Sequence, residues 1–154
     1  VPLKIAFPHL EACLLDSLKK RVNFLEETFA LLKLENITAI HGRAEEFAKN
    51  KAYREQYDLC VSRAVSNLAT LSEYCLPYVK VGGNFISYKS GTVQEELQQA
   101  EKAVKILGGK IQDVVYFNLP DSEIQRSLVV IEKMKPTPGR YPRKAGTPLK
   151  EPLS

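Results

Sequence analysis

Short apolar segments alternate along this chain with longer stretches in which apolar residues recur every three or four positions. The apolar segments predict strands at residues 12–15, 37–44, 57–65 and 84–90. The amphipathic stretches predict helices at residues 18–33, 68–79 and 93–109, with residues 45–56 as a polar helix or a loop. Continuous apolar strands separated by helices are typical of a parallel sheet that is covered on both faces.

The end of this pattern indicates a particular kind of α/β sheet. Residues 110–119 and 127–135 are successive predicted strands with only a short loop between them, so they can pair antiparallel. A reversed strand at the edge distinguishes the nucleotide-type sheets of methyltransferases from those of dehydrogenases. We therefore predict a Rossmann-like α/β domain over residues 1–135, with a mostly parallel sheet and a reversed edge strand.

Residues 136–154 differ in composition from the rest of the chain. They contain five prolines, four basic residues and one acidic residue, and are therefore poor candidates for a helix or a central strand. Two interpretations are open: a disordered terminus, or an extended basic arm that lies across the surface and meets phosphate. The second makes Arg140, Arg143 and Lys144 candidate phosphate contacts.

Composition excludes several classes of protein. The 154 residues carry a formal net charge of +4, which is too mild by itself to indicate a nucleic-acid partner. The three cysteines lie far apart in apolar surroundings and predict neither a disulfide framework nor a zinc site. No apolar run approaches the length of a membrane span and no signal peptide is recognisable, so we expect a cytoplasmic protein without a metal.

Polar positions follow four predicted strands. They are Asp16, the Arg43-Ala44-Glu45 turn, Arg63 and Lys89. In doubly wound sheets the ligand binds beyond the carboxyl ends of the strands, so these side chains are expected to line one crevice. An acid that closes the second strand typically accepts hydrogen bonds from the two hydroxyls of a ribose. That is the role we predict for Asp16.

Each of these residues also has a purely structural interpretation. Asp16 or Ser17 can cap the helix that follows, and Glu45 can be a first-turn acid that the helix dipole favours. Arg63 can form a surface ion pair, and Lys89 can be a solvated strand end instead of a substrate or phosphate contact.

The beginning of the chain does not contain the loop that such an acid usually follows. In dinucleotide-binding sheets a glycine-rich loop precedes the acid by about twenty residues, and residues 1–10 predict only the end of a helix that Pro8 stops. We expect that the central strand lies outside this sequence, in a longer protein. Without it, two rows of backbone donors and acceptors lack their partners.

Four sequence runs together make a resemblance specific: DSLKKRVNFLEETFALLKLENIT, HGRAEEFA, YDLCVSRAVSNLATLSEYCLPYVKVGG and YPRKAGTPLKEPL. In this order they resemble the bacterial small-subunit ribosomal RNA guanine-N7 methyltransferases, the family also called glucose-inhibited division protein B. The similarity covers essentially the whole chain. The family's glycine-rich cofactor loop and N-terminal helices have no counterpart here.

This resemblance implies a cytoplasmic methyltransferase that uses S-adenosylmethionine and acts on guanine N7 of 16S ribosomal RNA or of the small ribosomal subunit. By position, it implies that Asp16 binds the cofactor ribose, that Ala44 and Glu45 flank the adenine, and that Arg63 closes the cofactor site. Lys89 and the basic residues of the arm are then candidate RNA contacts. The chain shows no nucleophile–base pair, and guanine N7, which carries a lone pair and no proton, needs none.

Two alternatives remain at this point. A nicotinamide-dependent oxidoreductase also places an acid after its second strand, although the paired final strands and the family motifs oppose it. A non-catalytic RNA-binding or interaction module is the other, and binding of S-adenosylhomocysteine would count against it.

Overall fold

The computed structural model describes residues 1–63 and 66–154, and the strands of this part form two separate sheets. One sheet pairs β1 (Ala12–Asp16) with β2 (Ile37–His41) in parallel. The other has the order β3 (Tyr57–Ser62), β4 (Val79–Ser90), β6 (Gln125–Lys133), β5 (Gly109–Asn118). Within the described residues no strand joins β1 to β3. Residues 64–65, the end of one predicted strand, lie outside the described residues.

Helices lie between the strands, largely as the pattern predicts. Their bounds are α1 Pro2–Ala6, α2 Lys19–Leu31, α3 Ala44–Phe47, α4 Leu68–Cys75, α5 Gln94–Ile106 and α6 Thr147–Lys150. The polar segment 45–56 is therefore mostly turn, because α3 ends after four residues. None of the helices in the described ranges is long and apolar enough to cross a membrane.

The boundary between α4 and β4 differs from the prediction. The helix ends at Cys75 and a short 3-10 turn, Leu76–Tyr78, carries the chain through Pro77 into the strand. We expected a turn at Gly82 and Gly83 and a strand only from residue 84, but β4 already begins at Val79. Gly82 has a φ of +86°, and the pairing with β3 shifts its register here, so the glycines form an irregularity within a long strand.

The mixed character of the larger sheet comes from the final hairpin. β3 and β4 are parallel, whereas β6 runs antiparallel to both β4 and β5. The reversed strand is thus β6, and it lies one position in from the edge where we had expected it, because the hairpin places β5 outside. A mixed α/β sheet that ends in this way is the predicted fold class.

Only one face of the four-stranded sheet is covered in the described part of the chain. On that face Phe85, Val129 and Ile131 are completely buried and belong to the core with α4 and α5. On the opposite face, Leu59 and Val115 keep 45% and 43% of their surface exposed. The prediction of a sheet covered on both faces is therefore wrong for the described residues. An apolar pattern on both faces predicts that both are suited to burial, but it does not show which segment covers each of them.

The three cysteines are free thiols, and they differ in their degree of burial. Cys75 is buried, while Cys13 and Cys60 are half-buried. A hydrogen bond with Cys60, together with burial, raises the pKa of the Cys75 thiol well above its ordinary value. Cys75 therefore stays protonated and behaves as a small apolar side chain.

A buried lysine fastens the beginning of the segment 136–154, which we call the arm. Lys133 is fully buried, and its Nζ donates to Leu76 O and to Thr137 Oγ1, both at 2.6 Å. Burial lowers the pKa of Lys133, whereas Glu55, 3.2 Å away, favours the charged form. Arg54 adds hydrogen bonds to three carbonyl oxygens of the arm. Of the two interpretations of this segment, the structure shows an arm laid across the domain.

Candidate cofactor and RNA site

The ends of β1 and β2 bring Asp16 beside the turn that starts α3. The register of the parallel pair places Asp16 opposite His41, and the Gly42 amide donates to Asp16 O at 3.0 Å. Ala44 follows two residues later as the first residue of α3. Two of the predicted cofactor positions, far apart in sequence, therefore lie at one end of the smaller sheet.

The carboxylate of Asp16 is only partly engaged by the protein. Its Oδ1 accepts the Leu18 amide at 2.8 Å, just before α2 begins. Its Oδ2 lies 3.4 Å from the Arg21 guanidinium, and a quarter of the side chain is exposed. The long Oδ2 contact is weak, so this oxygen can still accept a hydroxyl. Asp16 is thus able to order the start of α2 and to bind a ribose at the same time.

The two predicted adenine residues, Ala44 and Glu45, both accept hydrogen bonds from distant parts of the chain. Ala44 O accepts the hydroxyl of Tyr78 at 2.7 Å. The carboxylate of Glu45 is buried and accepts the amide of Gly146 at 2.9 Å. Glu45 is therefore neither a solvated first-turn acid nor a side chain turned toward a ligand. Its contact with an adenine would have to come from the backbone at the start of α3.

Arg63 lies on the other sheet. It follows β3 directly and is exposed, and among the described contacts no hydrogen bond or ion pair joins it to Asp16 or Glu45. Its neighbours in the chain, residues 64–65, lie outside the described residues. The structure thus groups Asp16 with α3 and leaves Arg63 as an exposed cation at the end of the second sheet.

The arm completes a buried ion pair that sequence reasoning did not predict. Glu73, in the middle of α4, is completely buried, and its Oε2 lies 2.7 Å from Arg143 Nη2. Arg143 also donates its backbone amide and its Nε to the same carboxylate. This hydrogen bonding to Glu73 raises the pKa of Arg143. The sequence predicts a phosphate contact for Arg143, but in the structure its guanidinium is bound to Glu73.

The remaining basic residues of the arm face solvent. Arg140 is exposed, with its guanidinium carbon 5.1 Å from the centre of the Tyr141 ring, and Lys144 is exposed as well. Farther along, Thr70 Oγ1 donates to Pro148 O at 2.9 Å and fixes the arm near α6. The arm thus combines inward ties with three exposed cations, Arg140, Lys144 and Lys150.

Lys89 is also engaged inside the protein. Its Nζ donates to Ser66 O at 2.9 Å and to Glu96 Oε1 at 2.6 Å, and only a tenth of its side chain is exposed. A direct contact with phosphate would have to replace both of these partners.

A shallow depression lies elsewhere. It has a volume of about 550 Å³ on the open face of the four-stranded sheet and is lined by Leu59, Asn84, Ile86, Gln112, Asp113 and Val130. None of the predicted cofactor residues lines it. In the described part of the chain, no group of three or more His, Cys, Asp or Glu side chains is arranged to hold a metal ion.

Comparison with known proteins assigns the family. Residues 1–129 match the family described as rRNA small subunit methyltransferase G. A protein of that name from Lachnoclostridium phytofermentans is 56% identical over 153 residues, and one from Alkaliphilus oremlandii is 55% identical over the same length. The chain belongs to the rRNA small subunit methyltransferase G family.

The match covers the relatives only in part. The aligned residues make up 99% of this chain but 63% and 64% of these two methyltransferases. Among solved structures, M. jannaschii TYW2 in complex with AdoMet superimposes with a TM-score of 0.63 over 86% of this chain and 63% of that chain. At 13% identity this likeness shows the methyltransferase fold alone.

The residues present fit one side of an S-adenosylmethionine site in this family. Asp16 offers a partly exposed carboxylate oxygen, and the start of α3 lies beside it with the Glu45 side chain buried. A nucleoside needs such a pairing of a hydroxyl acceptor with a backbone edge. Sequence reasoning predicted these positions, and the prediction stands as such; it did not predict the hydrogen bonds to Ala44 and Glu45 from Tyr78 and Gly146, which come from distant parts of the chain.

The structure predicts that Arg143 stabilises the protein and that Arg140 does not. Substituting Arg143 by Ala leaves the carboxylate of Glu73 buried without its counter-charge, which should lower the free energy of unfolding by about 3–5 kcal/mol. Chemical denaturation of the full-length protein measures this change. The matched control, Arg140→Ala on the exposed side of the arm, should stay within about 0.5 kcal/mol of the wild type. Equal effects of the two substitutions would contradict the assignment.

Proposed function

We propose that the full-length protein transfers the methyl group of S-adenosylmethionine to N7 of a guanine in the RNA of the small ribosomal subunit. Membership of the family supports this reaction. The observation that carries it in the structure is the partly exposed carboxylate of Asp16 beside the start of α3.

The reaction requires little from the protein beyond correct placement of the two reactants. When bound, S-adenosylmethionine supplies an activated methyl group on a sulfonium. The lone pair of guanine N7 forms the new bond to carbon while the bond to sulfur breaks, and no proton has to leave. The chain's task is then to hold the two reactants in line, and such positioning contributes up to about 7–11 kcal/mol in favourable intramolecular models.

Each residue of the site has a part in this placement. Asp16 binds the ribose hydroxyls through its less engaged oxygen, while its other oxygen stays on the Leu18 amide. The backbone of Ala44 and Glu45 contacts the adenine. Tyr78 and Gly146 hold these two residues in place by donating to the Ala44 carbonyl oxygen and to the Glu45 carboxylate. Arg63 closes the cofactor site. Because positive charge moves onto the purine, Arg63 acts on cofactor geometry and stays away from the reacting ring.

RNA is held through phosphate contacts, which position the substrate and depend on salt. Arg140 and Lys144 are the cations of the arm that support this role, since both face solvent. Arg143 is better explained as the tie to Glu73. Deleting the whole arm is a poor test, because the deletion would also leave the buried carboxylates of Glu45 and Glu73 without their partners.

Asp16→Asn tests the cofactor role with little disturbance of the fold. The asparagine oxygen still accepts the Leu18 amide, whereas the charged acceptor for the ribose is lost. Losing a hydrogen bond to a charged group costs about 1.5–3 kcal/mol, so the Kd for S-adenosylhomocysteine should rise about ten-fold or more. Calorimetric titration of the full-length protein measures it. Asp58→Asn, an exposed acid on β3, is the control and should change nothing; an unchanged Kd in Asp16→Asn would refute the ribose role.

Replacing Arg140 and Lys144 together by Gln tests the RNA role of the arm. RNA affinity should fall, and the slope of log K against log salt should decrease by about 0.7–0.9 for each lost phosphate contact. The control removes two exposed positive charges from α5, with Lys102→Gln and Lys105→Gln. Filter binding at several salt concentrations compares the two double variants. If both lose affinity equally, net charge explains the result and the arm has no specific role.

A further inference from the structure

The final hairpin, β5 and β6, extends the larger sheet beyond the end of its parallel part. β3 ends at Ser62, which pairs with Ser87 of β4. β4 continues to Ser90, which pairs with Arg126 of β6. These further residues of β4 project roughly 10 Å past the level of Ser62, at about 3.3 Å per residue. The hairpin thus forms a wall beside the carboxyl ends of the parallel strands, where such sheets bind their ligands.

Phe117 and Arg126 lie on the open face of this wall. In β6 the side chain of Ser127 is completely buried on the core face, and Arg126 comes directly before it. Successive residues of a strand point to opposite faces, so Arg126 belongs to the open face. Phe117 pairs with Arg126 across the hairpin, and residues paired in this way share a face. The last pair of the open face therefore places an aromatic ring next to a guanidinium.

Neither side chain is fully engaged by the described part of the chain. Phe117 keeps 39% of its surface exposed, and none of the ring–ring contacts found there involves it. Arg126 Nη1 donates to Gln125 O, the carbonyl of the preceding residue, at 3.0 Å. Among the described residues no ion pair includes Arg126. Most of the five donors of its guanidinium are thus left for another partner.

An aromatic ring beside a cation at the ligand edge fits an unpaired nucleotide of RNA. Unpaired bases of RNA stack on aromatic side chains, and arginine binds their phosphates. A purely apolar partner would cover the ring but leave the guanidinium without a counter-charge. A nucleotide supplies both a flat face for Phe117 and a negative oxygen for Arg126.

We propose that the Phe117 ring stacks on an unpaired base of the RNA substrate and that Arg126 binds the adjoining phosphate. The inference rests on the proposed function and refines it, because it adds a base contact to the phosphate contacts of the arm. Stacking accepts every base, so this contact orients the RNA strand and does not select its sequence.

Phe117→Leu tests the stack, since leucine keeps an apolar side chain and removes the aromatic face. The affinity of the full-length protein for 16S ribosomal RNA should fall about ten-fold. The slope of log K against log salt should stay unchanged, because no charge is lost, whereas Arg126→Gln should reduce it by about 0.7. Filter binding at several salt concentrations measures both quantities.

Tyr116→Leu is the matched control for the loss of an aromatic ring. Tyr116 is the neighbour of Phe117 in β5 and is 42% exposed, but it belongs to the other face of the sheet. Its substitution should leave the RNA affinity within about two-fold of the wild type. The Kd for S-adenosylhomocysteine should be the same in all these variants, because the hairpin contributes no residue to the proposed cofactor site.

Phe117→Trp reports the stack directly. Tryptophan keeps an aromatic face, so RNA affinity should be retained. Its fluorescence, measured as the difference from the parent protein, should be quenched when 16S ribosomal RNA is added. Inorganic polyphosphate carries negative charges but no bases, and should leave the fluorescence unchanged.

Four results would overturn the proposal. They are an unchanged RNA affinity in Phe117→Leu, equal losses in Phe117→Leu and Tyr116→Leu, quenching of the introduced tryptophan by polyphosphate as strongly as by RNA, and a tryptophan that acrylamide cannot reach in the absence of RNA. The last result would show that another part of the full-length protein covers the hairpin. If the wild type binds RNA but no S-adenosylhomocysteine, the proposed methyl transfer fails, and these measurements still decide the RNA contact.

Discussion

Two buried carboxylates need partners, and the arm provides them. Glu73 is completely buried and Glu45 nearly so, and an unpaired buried charge is costly. Arg143 satisfies the first and the Gly146 amide the second. Because Glu45 belongs to α3 and Glu73 to α4, this one requirement orders the arm and fixes the helix that starts beside Asp16.

The sequence was most informative where a pattern repeats over many residues. The spacing of apolar residues and the continuous apolar runs predicted the strands, the three long helices and the final antiparallel hairpin, because burial imposes these patterns locally. The four strand-end positions followed from the rule that ligands bind beyond the carboxyl ends of strands. The boundary at β4 was missed because Gly82 and Gly83 are as suitable for an irregular strand as for a turn.

The supports of the site could not be predicted, since they depend on partners distant in sequence. Glu45 and Gly146 are 101 residues apart, and Glu73 and Arg143 are 70 apart. No local pattern distinguishes a glutamate that will be buried from one that will be solvated. The same limit explains why Arg143 and Lys89 were predicted to be free cations, although Arg143 is paired with Glu73 and Lys89 with Glu96.

The cations therefore fall into two groups with different proposed tasks. Arg143, Lys133 and Lys89 point inward, where each pairs with a glutamate and donates to a backbone oxygen. Arg140 and Lys144 point outward and are available to a polyanion. A reaction at guanine N7 needs correct placement of the two reactants more than acid–base chemistry. In this division, buried ion pairs hold the backbone in place and exposed charges attract the polyanion.

Mapping the binding of S-adenosylhomocysteine on the full-length protein by amide chemical shifts tests the central claim most directly. The account predicts shifts at Asp16, at the turn of residues 42–45 and at Arg63, where the strand ends would bind the nucleoside. Shifts confined to Leu59, Ile86 and Val130 would place the ligand in the depression on the open sheet face and contradict it.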